Sequence, residues 1–194
     1  MTIVCDSREQ QWEHVKGFFD RGSVPWIRSK LWVGDYARLD DMSVCIDRKD
    51  SLQEVSQNVI QQHDRFRDEC MRARDHGIRL VVLVEHGIHV QGMKDVRAWD
   101  NPRLRLSPKA ATGPRLAAIM EAMAEKYDVG WAFCTKQQTG GKILELLHRG
   151  DTQPVCCGRS SFEVRSIDNL PFLCCTCCGH PHHIVTAKEI TKGI

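Results

Sequence analysis

Five consecutive apolar residues, Leu80-Val81-Val82-Leu83-Val84, constrain this chain more than any other feature. A strand with one wet face alternates apolar and polar side chains. An unbroken run belongs to a strand covered on both faces, inside a sheet layered by helices. The flanking sequence supplies those helices. Residues 10–21 carry Trp12, Val15, Phe18 and Phe19 at helical spacing, with Gly22 as a stop. Asp50 or Ser51 caps a long predicted helix that runs to His76 before Gly77, its buried face marked by Leu52, Val55, Val59, Phe66, Cys70 and Ala73. Thr112 caps another, striped by Leu116, Ile119, Met120, Met123 and Tyr127, and residues 139–149 form a last one, ended by Gly150. Further strands are predicted over residues 3–5, 25–36, 42–49 and 129–134, with Asp40-Asp41 as the turn between the middle two. The alternation predicts an α/β fold, a mixed central sheet flanked by helices.

Charge and cysteine usage bound the rest. A net charge of +2 does not announce a polyanionic partner, so the local distribution of charge has to be read. No stretch approaches the roughly 20 apolar residues of a membrane span. Residues 1–6 lack the basic and apolar regions of a secretory signal, so an intracellular, reducing compartment is expected. There, ten cysteines argue for buried thiols or metal ligands over a disulfide framework. Six of them fall between Cys156 and Cys178, which divides the chain into residues 1–150 and a cysteine-rich C-terminal tail, 151–194.

Chemistry concentrates around Gly34-Asp35 and, after eleven intervening residues, Asp47-Arg48-Lys49. Asp47 and Lys49 are two apart on a predicted strand and so leave the same face. A carboxylate and an ammonium at one strand end, with Asp35 able to reach them, suit metal-assisted cleavage of a phosphodiester. A hard divalent cation needs only one or two carboxylates and keeps several waters. The lysine can orient or deprotonate a water, or stabilise the charge that develops. Asp6 and Glu9, where the first strand ends, are a third source of acid. Asp47 and Lys49 alone would read as a surface salt bridge; acids and a lysine at the ends of three neighbouring strands are harder to dismiss.

Asp6-Ser7-Arg8-Glu9, Gly34-Asp35-Tyr36 and Asp47-Arg48-Lys49 resemble, in order, the D-x-R-E, G-D-Y and E-R-K-x-x-x-D signature of the XPF-type branch of the PD-(D/E)XK nucleases. Arg65-Phe66 falls where that family has a G-R-L/F-x-x-Q element, and residues 99–103, 111–113 and 133–134 resemble stand-alone phage and prophage members. The resemblance covers residues 2–149. It implies a restriction-endonuclease-like fold and cleavage of DNA with Mg²⁺ or Mn²⁺, often at branched or flapped structures, as in repair and recombination. Carried over, Asp35 and Asp47 are metal ligands, Lys49 the catalytic lysine, and Asp6, Arg8, Glu9 and Arg48 further members of the active site. Two positions depart from the pattern: Asp47 replaces a glutamate, and Gln53 stands where the pattern ends in aspartate. Nothing after residue 150 resembles the tandem helix-hairpin-helix domain of cellular relatives. DNA targeting is therefore expected from elsewhere: a homodimer, a partner subunit or the chain's own basic loop.

That loop runs from Lys94 to Arg115, where Lys94, Arg97, Arg103, Arg105, Lys109 and Arg115 outweigh Asp95 and Asp100 for a local charge of +4. Either it contacts phosphates, with Trp99 free to stack on a base, or it is a solvated loop with Trp99 folded onto the core; Arg65, in the long predicted helix, is a further candidate DNA contact. In the tail, Cys174, Cys175, Cys177 and Cys178 form two overlapping C-x-x-C pairs, with Cys156 and Cys157 upstream and His180, His182 and His183 downstream. Four of these would make a zinc knuckle; the alternative is a disordered tail with incidental cysteines. Cys45, Cys70 and Cys134 sit in apolar patterns and read as core. An active endonuclease competes with a catalytically weak binding or assembly subunit that keeps the fold. A Rossmann-type enzyme fails, since no glycine-rich phosphate loop follows the first strand.

Overall fold

The computed structural model describes residues 1–148, 162–167, 170–175 and 181–184. The chain divides into two compact units, Met1–Leu147 and His148–Ile194. In the first, the elements run β1 (Ile3–Asp6), α1 (Glu13–Arg21), β2 (Trp26–Ser29), β3 (Tyr36–Arg38), β4 (Val44–Lys49), α2 (Leu52–Ser56), α3 (His63–Asp75), β5 (Arg79–Glu85), α4 (Met93–Ala98), α5 (Gly113–Tyr127), β6 (Gly130–Cys134) and α6 (Thr139–His148). Six strands form one mixed sheet in the order β2-β1-β3-β4-β5-β6. β3 runs antiparallel to both β1 and β4, and the other neighbours are parallel. The expected α/β fold is the one observed.

The apolar run on β5 does what its composition requires. Leu80, Val82 and Val84 join a core on one face with α2, α3 and α5, while Val81 and Leu83 join a second core on the other face with α1 and α6. The same alternation runs through β4. Cys45 belongs to the first core and Ile46 to the second. Asp47 and Lys49 therefore leave the sheet on the α2–α3 side and Arg48 on the α1–α6 side.

Three expectations are corrected. Residues 25–36 are not one extended segment: β2 and β3 lie on opposite sides of β1, joined by a loop that crosses its end. Gly34 turns this loop with φ +67°, and a Cβ there would lie 2.7 Å from the Ile46 carbonyl oxygen. The long helix from Ser51 to His76 is interrupted by a π-helical turn, Gln57–Gln61, and by Gln62, whose φ and ψ of −109° and 31° are not helical. Side chains compete for the backbone there. Asn58 Nδ2 donates to the Glu54 carbonyl (2.8 Å), and the His63 ring Nδ1 lies 3.3 Å from that of Val59. The basic loop, finally, is structured. It contains α4 and a 3₁₀ turn, Pro102–Arg105, fastened by buried Asn101, which accepts from Arg103 N (3.0 Å) and donates to the Ala111 carbonyl (2.8 Å).

The second unit contains a three-stranded antiparallel sheet, β7 (Phe162–Ile167), β8 (Leu170–Cys175) and β9 (Pro181–Ile184). Cys174 and Cys175 lie on β8, opposite Glu163 and Phe162. Cys156, Cys157, Cys177, Cys178 and His180 lie outside the described residues.

Candidate active site

On the α2–α3 face, Lys49 Nζ lies 2.7 Å from each oxygen of Asp47 and donates to Oδ1. Asp47 Oδ2 is buried and, among the described residues, has that ammonium contact but no aligned hydrogen bond. Asp47 is 4% and Lys49 8% exposed, and the ammonium sits 6.0 Å from the centre of the Phe66 ring. Asp35, half-buried, completes the group. Its Oδ2 accepts from the Arg48 amide at 2.8 Å, across the β3–β4 pairing. Burial pushes the Asp35 carboxyl well above the usual range, and the charge of Asp47 pushes it further. Burial disfavours the charged form of Lys49, but Asp47 and Asp35 outweigh it and raise its pKa. Lys49 is thus an ammonium at neutral pH, a hydrogen-bond donor and positive charge and not a resting base.

Two acids not singled out in the sequence also face this site. Burial and then Asp47 raise the carboxyl of Glu69, which accepts from Gly34 N at 3.0 Å. It sits on α3 between buried Phe66, Cys70 and Ala73. An acid inside an apolar helical stripe was the available signal. Glu54 is raised by burial and feels the charge of Lys49. It lies beside Gln53 in the first turn of α2, where Ser51 Oγ caps its amide (3.2 Å) and its own carboxylate accepts from Asp50 N (2.7 Å).

The remaining predicted residues flank this group, with Glu9 and Arg8 close enough to feel the charge of Asp35. Asp6 is a clamp. Burial works against its charge, but the Arg8 side chain and the amides of Arg8 and Leu31 outweigh burial and hold its carboxyl below the usual value. Arg48 crosses to the opposite face. There its guanidinium donates to Glu9 and, at 3.1 Å, to Glu85, which also holds His14 and accepts from Thr139 Oγ1 at 2.7 Å. The alternation of β4 thus separates Arg48 and Glu9 from Asp47 and Lys49, which adjacency in the sequence had grouped together. Cys5 is buried, its thiol pushed up to about 12 by burial, which removes it as a nucleophile. Cys45, Cys70 and Cys134 are buried as read from the sequence.

Arg65, Lys94, Arg97, Arg103, Arg105 and Lys109 are all exposed, and Arg97 is bonded to Glu121. Trp99 is not free to stack on a base. It packs against the α2–α3 core and edge-on to His86 at 6.3 Å, and its carbonyl is 2.6 Å from where a Cβ on Gly113 would be.

Among the described residues no three His, Cys, Asp or Glu form a ready metal cluster. Asp35 and Asp47 nevertheless suit a hard cation. They are two neighbouring carboxylates, the charge of Asp47 raising the proton affinity of Asp35, and among the described residues only the Lys49 ammonium lies against Asp47 Oδ2.

The fold is similar to that of XPF. Solved structures agree: XPF from Aeropyrum pernix matches with a TM-score of 0.55 and 20% identity, over 78% of this chain and 65% of that one. XPF from Aeropyrum pernix in complex with DNA matches with a TM-score of 0.54 and 19% identity, over 82% and 69%. The chain thus spans about two thirds of the length of these structures. No protein-family model and no curated protein matches the sequence.

Proposed function

We propose that the chain is a divalent-metal-dependent endonuclease that hydrolyses phosphodiester bonds of DNA, at branched, flapped or nicked structures. The observation that carries this reading is the convergence of Asp35 and Asp47 on the one Lys49 ammonium, which alone among the described residues lies against both oxygens of Asp47. Two carboxylates share one ammonium there, which leaves an excess of negative charge that a divalent cation would neutralise.

In this reading Asp35 and Asp47 hold Mg²⁺ or Mn²⁺. An ion held there would supply Lewis-acid activation of a water and neutralisation of charge at the scissile phosphate. Lys49 stays protonated, gives up part of its hold on Asp47 and donates to a phosphate oxygen or to the attacking water as negative charge develops. Glu69 fixes Gly34 and through it the position of Asp35, while Glu54 keeps a second carboxylate near Lys49 where Gln53 supplies none. The exposed basic residues from Lys94 to Lys109 engage phosphates, and the tail holds a structural Zn²⁺.

Labelled linear, nicked, flap, fork and Holliday-junction DNAs, incubated with Mg²⁺ or Mn²⁺, test the proposal. Cleavage is expected on at least one of them, abolished by EDTA and by Asp35→Ala, Asp47→Ala and Lys49→Ala in folded protein. Cleavage that survives exhaustive chelation, or undiminished turnover in one of these variants, removes the metal or that residue from the mechanism. Finding no cleavage of any substrate would favour the assembly-subunit reading, in which Lys49 simply neutralises Asp47.

A further inference from the structure

We propose that the groove beside Trp32 is a slot for one unpaired nucleobase of a DNA strand, a reading that rests on the nuclease function above. The loop between β2 and β3 is held from both sides. Leu31 N donates to Asp6 Oδ2 at 2.7 Å, and its carbonyl accepts from Arg8 at 2.9 Å. Gly34 N donates to Glu69 at 3.0 Å, and Asp35 N to the Ile46 carbonyl at 2.7 Å. Leu31 and Val33 are buried, yet Trp32 between them is 73% exposed, with one ring contact, edge-on to His76 at 5.5 Å. Burying a large apolar side chain is favourable. A slack loop would fold this indole inward; a loop pinned by carboxylates from β1 and α3 holds it out.

Trp32 walls an apolar groove of about 270 Å³ lined also by Leu31, Val33, Leu39, Met42 and Ile78. This is below the roughly 300–1,000 Å³ that encloses a whole small molecule, but it suits one flat ring. At its mouth Lys30 is exposed and has no ion pair among the described residues. The nearby acids are committed: Asp40 to Arg38, Asp41 to the Ser43 amide, Glu69 to Gly34. An indole wall with an unspent ammonium fits a π-system that carries a phosphate. A base inside a duplex is stacked and cannot enter, so the slot selects an unpaired one. Trp32 is three residues from Asp35, at most about 10 Å of chain, so the slot would hold a nucleotide close to the cut. A second copy of this chain is a poorer occupant, because a stable interface needs about 800 Å² on each partner.

Anisotropy titrations of the full chain in EDTA, with a labelled oligothymidylate and a blunt duplex, test the slot apart from catalysis. Trp32→Ala should weaken oligothymidylate binding roughly ten-fold and leave duplex binding unchanged, with Trp32→Phe retaining most of the affinity. Met42→Glu, which blocks the groove from another wall, should act like Trp32→Ala; thermal melts confirm that the variants fold. Unchanged oligothymidylate affinity, or an equal loss on both DNAs, overturns the slot. So does a dimer that dissociates in Trp32→Ala without a change in DNA affinity. Cleavage assays with Mg²⁺ keep the two readings apart. A chain that binds oligothymidylate through Trp32 but cuts nothing retains the slot and loses the nuclease. A chain that cuts DNA with Trp32→Ala unaltered does the reverse.

Discussion

Arg48→Met separates the two faces of β4. The Arg48 side chain is 7% exposed and pairs with Glu9 and Glu85, themselves 10% and 4% exposed. Methionine fills a similar volume and keeps the backbone amide that donates to Asp35, but it leaves two buried carboxylates without their cation. Deleting one partner of a buried ion pair costs about 3–5 kcal/mol. The lower end applies here, because Glu85 retains the Thr139 hydroxyl and His14. At roughly 2–4 °C per kcal/mol for a domain near this size, the melting temperature should fall on the order of 10 °C at pH 7. Turnover well below the melting range should change by less than ten-fold, under about 1.4 kcal/mol of transition-state stabilisation. Scanning calorimetry from pH 5 to 8, with single-turnover cleavage at low temperature, reads both quantities. A variant that melts with the wild type but has lost turnover would place Arg48 with the catalytic group and refute the face assignment.

Asp35→Asn should stabilise the metal-free protein while abolishing cleavage. The raised folded pKa of Asp35 means that stability is lost as pH climbs from the ordinary carboxylate value through the raised one, and asparagine removes that loss; a lower melting temperature than wild type in EDTA at pH 8 would contradict this. By the same linkage, cleavage at limiting Mg²⁺ should rise with pH as Asp35 loses its proton, and a flat profile would take Asp35 out of the metal site. Arg103→Glu with Arg105→Glu should reduce the slope of log K against log salt for DNA binding by about one unit per lost phosphate contact; an unchanged slope would turn this loop away from DNA. Elemental analysis of the 194-residue chain prepared without chelators should find one Zn²⁺ per chain, since thiolates select zinc and the acidic site does not; a small fraction of an equivalent would leave the tail's cysteines incidental.

Strand and helix identities were legible wherever one period dominated. Residues 80–84 could only be a strand covered on both faces, and Asp47 and Lys49 could only share a side of β4. The break after Ser56 was not legible. Leu52, Val55, Val59 and Phe66 keep one stripe across it, and the cause is local competition by Asn58 and His63 for carbonyls. Nor could the sequence divide residues 25–36 into two strands, because that division depends on which side of β1 each one pairs. Trp99 was ambiguous for a similar reason: whether an aromatic in a basic loop meets solvent or core is decided by long-range packing, here by the close approach of Gly113.

The first motif shows why adjacency in sequence overstates a catalytic group. Asp6, Arg8 and Glu9 lie within four residues, yet β1 ends between them and their side chains diverge. Asp6 and Arg8 close on Leu31 and anchor the loop that carries Gly34 and Asp35. Glu9 goes to Arg48 on the far face. Each supports the acidic pair from outside, Asp6 through the loop that leads to Asp35 and Glu9 through the residue between Asp47 and Lys49. Positioning of this kind depends on rigidity more than on charge. An Asp6→Asn variant keeps an acceptor for the Leu31 amide but loses the charged pair with Arg8. It should therefore reduce turnover far less than Asp6→Ala, which frees the loop. Equal losses in the two variants would show that the carboxylate itself takes part in the chemistry.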